Sequence, residues 1–339
     1  MSHLLVLGAY GYEDGYYALT FYLKKFFDTI SFFPLFIYND KTQTSEYYDE
    51  CLLKMINGTL EKCSIPKLLN FQHKKTHVLY YHNFDYLKNN MRTFNLITEH
   101  KDFKFIMINW DPFSCLKNNP SNEILNKFDV IYLSHMILTG INIKPLFTGF
   151  INEITYFQKN ENYECDVLFI GTTLYENNIY GNESNVNRKN ILDEYYRESR
   201  IKLNIFSNNQ NIKNVYPNSF RGPISYNNSK LAYSNAVMTL NISPLKQCLF
   251  NGHHYYSERL PQILACNSVM ISNDNFTGLL EPDEDYIYIK KLKDLIPKTL
   301  HYKRHPEKLN QIRENYKKKI HLFDYKNIND MMISDFQKL

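Results

Sequence analysis

DVLFIGTT, residues 166–173, followed by Arg188, is the stretch on which the fold turns. Its apolar run reads as a buried strand, Gly171 as a tight turn, and the residues around Arg188 as the start of a helix. A glycine lets the backbone come close to a ligand, Thr172 and Thr173 offer hydroxyls and amides to phosphate oxygens, and a helix N-terminus favours anions. The stretch is neither a Walker loop nor G-x-G-x-x-G, and an ordinary strand-to-helix turn explains it equally well.

Working outward, the same alternation continues in both directions. Towards the C-terminus it predicts helix 188–200, strand 202–206, helix 229–234, strand 237–241, helix 258–265, strands 269–272 and 286–289, and a last helix from Pro306 to 319. Towards the N-terminus it predicts strands 4–7, 35–38, 77–81, 105–109 and 130–134. Between these come helical segments at 17–27 and 86–99, a polar helix-like stretch at 45–63 and a short helix around Ile124. Short apolar strands separated by helical spacers imply parallel sheets covered on both faces.

A chain of 339 residues is too long for one ordinary core. The polar stretch QKNENYE at 158–164 divides it into two doubly wound, Rossmann-like α/β domains facing across a cleft. Their expected extents are 1–157 and 165–305, with 306–339 a C-terminal helix packing back on the first. Each opens on a strand that runs into a glycine turn, Gly8 and Gly171. Ligands bind outside the carboxyl ends of such strands. The reactive loops are therefore expected after Leu7, Asn109, Ile170, Phe206 and Asn241, and at the start of the helix holding Arg259.

Composition narrows the function classes. With 44% hydrophobic and 22% charged residues the chain is globular rather than solvating. The first apolar run is broken by Gly8, Gly11, Glu13 and Asp14, and no stretch reaches the roughly 20 residues that span a bilayer. A soluble, cytoplasmic protein without a membrane span is the expectation. Cys51, Cys63, Cys115, Cys165, Cys248 and Cys266 show no zinc or disulfide spacing. The net charge of +4 is mild and dispersed except at Lys317 to Lys319, so a nucleic-acid partner is not indicated. Asn and Tyr are frequent in the manner of an AT-rich genome, which devalues any single Asn and the N-x-[ST] matches.

The second chemical signal is SERLPQILACNSVMISND, residues 257–274. Arg259 at the start of a helix can fork onto a diphosphate, and Gln262, one turn later on the same face, can hydrogen-bond ribose hydroxyls. An amphipathic helix with Arg259 paired to a surface acid is the competing reading. In the first half, NWDPF at 109–113 ends an apolar strand, where Asp111 either serves as a general base or caps the turn before Pro112. The loop GAYGYEDGYYA at 8–18 supplies Glu13 and Asp14 as reserve bases. His253 and His254 precede the Arg259 helix. Asp283-Glu284-Asp285 contains D-x-D, but lies in a polar turn, and no metal is expected there.

The residues from Asp166 to Leu292, including RGPISY at 221–226 and YSNAVMTLNIS at 233–243, resemble the donor domain of the CgeB-like group of GT-B glycosyltransferases. More distantly, they resemble the bacteriophage DNA β-glucosyltransferases. The resemblance implies a metal-independent glycosyltransferase that moves a sugar from a nucleotide-sugar donor, with UDP favoured, to a glycan or other hydroxyl acceptor. No cofactor beyond that co-substrate is implied. It places the donor against Gly171, Thr172, Thr173, Arg188, Gly222, Ile224, Ser257, Glu258, Arg259 and Gln262. Arg188 and Arg259 would meet the diphosphate, and the segment 222–224 the base. It makes Asp111 the catalytic base. The family's Arg-x-x-Glu helix reads Arg259-x-x-Gln262 here, so an amide replaces the ribose-binding carboxylate, with Glu258 as a partial substitute. Two other readings stay open: a catalytically inactive GT-B protein that binds a glycan or nucleotide, and a DNA-modifying glucosyltransferase. The sugar, the acceptor, the stereochemical outcome and the oligomeric state are not written in the sequence.

Overall fold

A computed structural model describes residues 2–10, 26–39, 44–47, 75–81, 103–109, 120–133, 142–145, 159–171, 182–242, 259–276 and 278–339, and single positions or pairs at 23, 87, 91, 94–95, 149, 249–250, 253–254 and 257. The chain divides into two compact units. The first comprises Met1–Phe147 and Tyr325–Leu339, the second Thr148–Asp324.

The first unit is built on a seven-stranded sheet. Its strands are β1 (Ser2–Tyr10), β2 (Thr29–Asn39), β3 (Thr44–Tyr47), β4 (Lys75–Tyr81), β5 (Phe103–Asn109), β6 (Val130–Leu133) and β7 (Ile143–Pro145). They lie in the order β3-β2-β1-β4-β5-β6-β7, parallel throughout except for β3 at one edge. Leu4, Leu5, Leu7, Val78, Leu79, Ile106 and Ile108 are fully buried, as expected when both faces of a parallel sheet are covered.

Two expectations are corrected in this unit. Gly8 is not a turn: it lies inside β1 opposite Pro34, where the ladder shifts register between Gly8 and Ala9. Proline cannot donate to a ladder, so a bulge is where a strand accommodates it, and β2 runs through Pro34 instead of starting after it. Residues 45–47, read as helix-like, belong to the antiparallel strand β3, where Tyr47 pairs with Phe36. The rest of 48–74 lies outside the described residues.

The second unit carries a five-stranded, wholly parallel sheet. Its strands are β8 (Cys165–Ile170), β9 (Leu203–Phe206), β10 (Ala236–Leu240), β13 (Val269–Ser272) and β14 (Ile287–Tyr288), in the order β14-β13-β10-β8-β9. β11 (Leu249–Phe250) pairs antiparallel with β12 (His253–His254). The unit's helices of seven residues or more are α1 (Asn182–Arg197), α2 (Tyr226–Asn235), α3 (Arg259–Ala265), α4 (Leu295–Arg304) and α5 (Pro306–Lys317). Ser225 caps α2 by accepting from the Asn228 amide, and Pro306 opens α5 where a missing N–H costs nothing. The chain goes from β8 outward to β9, then returns to place β10 on the other side of β8. The strand order therefore reverses between β8 and β10.

A sixth helix, α6 (Tyr325–Lys338), belongs to the first unit. Its Asp335 accepts from Tyr132 Oη at 2.7 Å and from Lys144 Nζ at 2.6 Å. Phe336 packs its ring 5.7 Å from Phe27 and 5.4 Å from His77. Burial raises the Tyr132 phenol, and the bond it gives Asp335 raises it further. Burial pushes the Asp335 carboxyl up, but the bonds from Lys144 and Tyr132 outweigh this and leave it below its ordinary value. No described helix is long and apolar enough to cross a membrane.

Candidate functional site

In a doubly wound sheet the crevice for a ligand opens where the strand order reverses, outside the carboxyl ends of the strands. In the second unit that position is the end of β8 and β10, Ile170 and Leu240. The sequence places a glycine after one and Asn-Ile after the other.

Gly171 donates its N–H to the Phe206 carbonyl at 3.0 Å. Its φ is +150°, a conformation that side chains other than hydrogen resist. A Cβ here would meet Arg259 Nη1 at 3.2 Å and Phe169 Cζ at 3.4 Å. The glycine thus makes room for a guanidinium to lie across the strand end.

Arg259, the first residue of α3, is partly exposed. Its Nη1 donates to the Ile170 carbonyl at 3.1 Å and its Nε to Ser257 Oγ at 3.3 Å. No described carboxylate lies within ion-pair distance of it, and its remaining N–H groups have no acceptor among the described residues. Among the described residues no surface acid holds Arg259. Gln262 follows one turn later, 7% exposed, and its side-chain amide makes no hydrogen bond among the described residues. Its amide is not among the buried polar groups left without a partner, so it reaches solvent, where a ligand can meet it.

Arg188 holds a different position from the expected one. The helix that carries it begins at Asn182 rather than at Arg188, so Arg188 stands in the second turn of α1 and cannot share in a helix-start anion site. It is only 2% exposed, and Nε and Nη2 both donate to the Ile242 carbonyl, at 3.1 and 2.8 Å. The β8–β10 register, Met238 with Val167 and Thr239 with Leu168, continues to place Ile242 beside Gly171. The two guanidiniums are thus anchored on main-chain carbonyls of neighbouring strands at one edge of the sheet.

The segment RGPISY runs along β9. Ile205 N donates to Ser219 O, Arg221 N to Ile205 O and Ser207 N to Gly222 O, which carries the chain past the end of β9. Gly222 has φ +86° with nothing within 4 Å of where a Cβ would lie. The N–H and C=O of Ile224 have no partner among the described residues, leaving an edge of backbone able to read a planar hydrogen-bonding ligand.

The D-x-D carboxylates are committed elsewhere. Asp283 pairs with Lys298 at 2.8 Å, and Asp285 pairs with Lys319 at 2.6 Å and accepts from the Glu281 amide. No described group of His, Cys, Asp and Glu side chains is arranged to hold a metal ion. Cys165 and Cys266 are buried free thiols, pushed up to about 12 chiefly by burial, and so are not nucleophiles.

Thr172, Thr173, Glu258, Asp111, Glu13 and Asp14 lie outside the described residues. Sequence reasoning passed over Asn241 and Ser272. Asn241 is 3% exposed. Its Oδ1 accepts from Ser257 Oγ at 3.4 Å, its Nδ2 donates to Met270 Sδ at 3.4 Å, and its carbonyl accepts from Ser272 Oγ at 2.6 Å. The available signal was a polar Asn closing an apolar strand; the chain's surplus of Asn hid it.

Residues 186–330 match the glycosyl transferase-like family. No curated protein sequence matches the chain. Among solved structures, HepE of Anabaena in complex with UDP-glucose is 10% identical, with 99% of this chain and 100% of that one covered and a TM-score of 0.65. An α-glucosyltransferase in complex with UDP-glucose and DNA containing an abasic site is 11% identical, with 99% and 100% covered and a TM-score of 0.64. UDP-GlcNAc 2-epimerase from Neisseria meningitidis is 10% identical, with full coverage of both chains and a TM-score of 0.53. The fold is that of the GT-B glycosyltransferases, two Rossmann-like domains, and the glycosyl transferase-like match falls on residues 186–330.

Proposed function

We propose that the protein transfers a sugar from a nucleoside-diphosphate donor, UDP being the nucleotide, to a hydroxyl acceptor, in the manner of the CgeB-like group. The observation that carries this is Arg259: a guanidinium fixed at the switch point, without a carboxylate partner among the described residues and with N–H groups still to satisfy. A diphosphate supplies the acceptors it lacks, in the paired geometry that Arg favours. In this reading Gln262 meets the ribose, and the backbone of Ile224 the base. UDP-sugar complexes of HepE and of the α-glucosyltransferase support the choice of nucleotide.

In this reading Asp111 acts as the base that removes the proton of the acceptor hydroxyl as it attacks the anomeric carbon, and the nucleoside diphosphate leaves with the charge that Arg259 offsets. Fixed charges aimed at the leaving group are a large term in such reactions. Asp283 and Asp285 are held by lysines, so the transfer is proposed to be metal-independent, with activity unchanged by EDTA. Buried free thiols fit a reducing, cytoplasmic setting.

The test is a thermal-shift screen against nucleotides and nucleotide sugars, since a ligand at 100 times its Kd adds about 2.7 kcal/mol of stability. UDP or a UDP-sugar is expected to give the largest shift, and Arg259→Ala to abolish it. An unchanged shift in that variant removes the donor assignment. Wild-type turnover in Asp111→Asn removes the base. Gln262 in place of a carboxylate favours the second reading, a protein that binds nucleotide without turning it over; a UDP shift with neither transfer nor donor hydrolysis selects it. Salt-sensitive binding to duplex DNA would instead point to a nucleic-acid acceptor.

A further inference from the structure

We infer that Asn241 is a positioning residue that fixes the donor-binding arginine through Ser257. The inference rests on the donor reading of Arg259.

The argument is one of hydrogen-bond polarity. Asn241 follows β10 and has every polar group engaged. Its N–H donates to Ile271 O at 2.9 Å, and its carbonyl takes the Ser272 hydroxyl at 2.6 Å. Its side-chain NH2 faces the Met270 thioether, which only accepts. That leaves Oδ1 directed at Ser257, and an amide turned the other way would set oxygen against sulfur.

Ser257 has one hydroxyl proton. With that proton on Asn241 Oδ1, its oxygen can only accept, and the donor it accepts from is Arg259 Nε at 3.3 Å. The next residue, Ile242, presents the carbonyl that receives Arg188. Residues 241–242 therefore hold one guanidinium by a side-chain relay and the other by a main-chain oxygen. Arg259 bridges this bracket to the Ile170 carbonyl of the neighbouring strand.

The test is a double-mutant cycle on UDP affinity, measured by isothermal titration with folding checked by thermal denaturation. Ser257→Ala and Asn241→Ala are each expected to weaken UDP binding about 2- to 12-fold, the effect of one net hydrogen bond. Arg259→Lys keeps the charge but has no Nε–H to give Ser257. In the Arg259→Lys background, Ser257→Ala and Asn241→Ala should therefore have no further effect, because contacts in series do not add. If Asn241→Ala does not fold, Ser257→Ala alone completes the cycle. Equal losses in both backgrounds, or wild-type affinity in Ser257→Ala, overturn the relay while leaving the donor reading in place. Wild-type affinity in Arg259→Lys and Arg259→Ala alike overturns the donor reading and the relay with it.

Discussion

Replacing Gly171 by Ala tests the site at its tightest point, because one added carbon acts on backbone and ligand site separately. The backbone effect follows from φ of +150°, a region essentially restricted to glycine, where a side chain costs on the order of 1–3 kcal/mol. For a unit of this size each kcal/mol lowers Tm by roughly 2–4 °C, so a fall of about 2–12 °C is expected in circular dichroism melts. The ligand effect follows from the Cβ meeting Arg259 Nη1 at 3.2 Å. The far end of a flexible side chain yields before backbone does, so Arg259 gives way and lengthens its 3.1 Å bond to Ile170 O. Losing about one net hydrogen bond of preorganisation, roughly 0.5–1.5 kcal/mol, weakens UDP binding about 2- to 12-fold by titration calorimetry. In an Arg259→Ala background the melting penalty should persist and the affinity penalty vanish. A Gly171→Ala protein with wild-type Tm and wild-type UDP affinity would refute both the strain and the packing argument.

Gly222→Ala is the contrasting case. With φ of +86° and no atom within 4 Å of the new Cβ, it should lose about 1–2 kcal/mol of stability from the backbone alone, with no packing contribution, read by denaturant titration. Arg188→Met removes both donors from the buried Ile242 carbonyl and should cost about 1–3 kcal/mol of stability in the same titration; a variant as stable as wild type would show that the carbonyl finds another donor. Asp335 has a folded-state pKa below its unfolded value of about 3.9. Its ionised form thus contributes stability above that value, and the contribution is lost as pH falls through the folded pKa. Amide exchange across residues 325–338 should accelerate below about pH 4, and Asp335→Asn should flatten that dependence while lowering stability at neutral pH.

Most of the architecture was legible because parallel sheets are buried on both faces, which turns strands into short apolar runs that periodicity finds. Cys165–Ile170 and Val269–Ser272 are such runs. Pro34 misled the reading of β2, because a bulge in β2 just after it, at Leu35, tolerates it, and β3 was hidden in a polar stretch that pairs only at the sheet edge. Helix α1 begins at Asn182 in a polar stretch, NESNVN, with no apolar periodicity to announce it, and that moved Arg188 away from the helix start. Arg259 and Gln262 were legible as types on one helix face. Their supports were not, because main-chain carbonyls such as Ile170 and Ile242 carry no sequence signature. Asn241 was obscured by the abundance of its own residue type.

The two arginines show why a structural and a binding role need not compete. At the carboxyl edge of a parallel sheet the last carbonyls have no further ladder partner, and a buried one must find a donor elsewhere. Arg188 and Arg259 are those donors for Ile242 and Ile170. An arginine carries about 2 kcal/mol of side-chain entropy, which an unanchored guanidinium would lose on meeting its ligand. Arg259 loses much of it during folding, through Nη1 and Nε, so its remaining N–H groups are already in place when an anion arrives. Arg188, buried and doubly engaged on one oxygen, lies at the other extreme, acting on the site through the backbone it holds. In the proposed donor reading, the difference in burial between the two separates the group that would grip the diphosphate from the one that keeps that edge in shape.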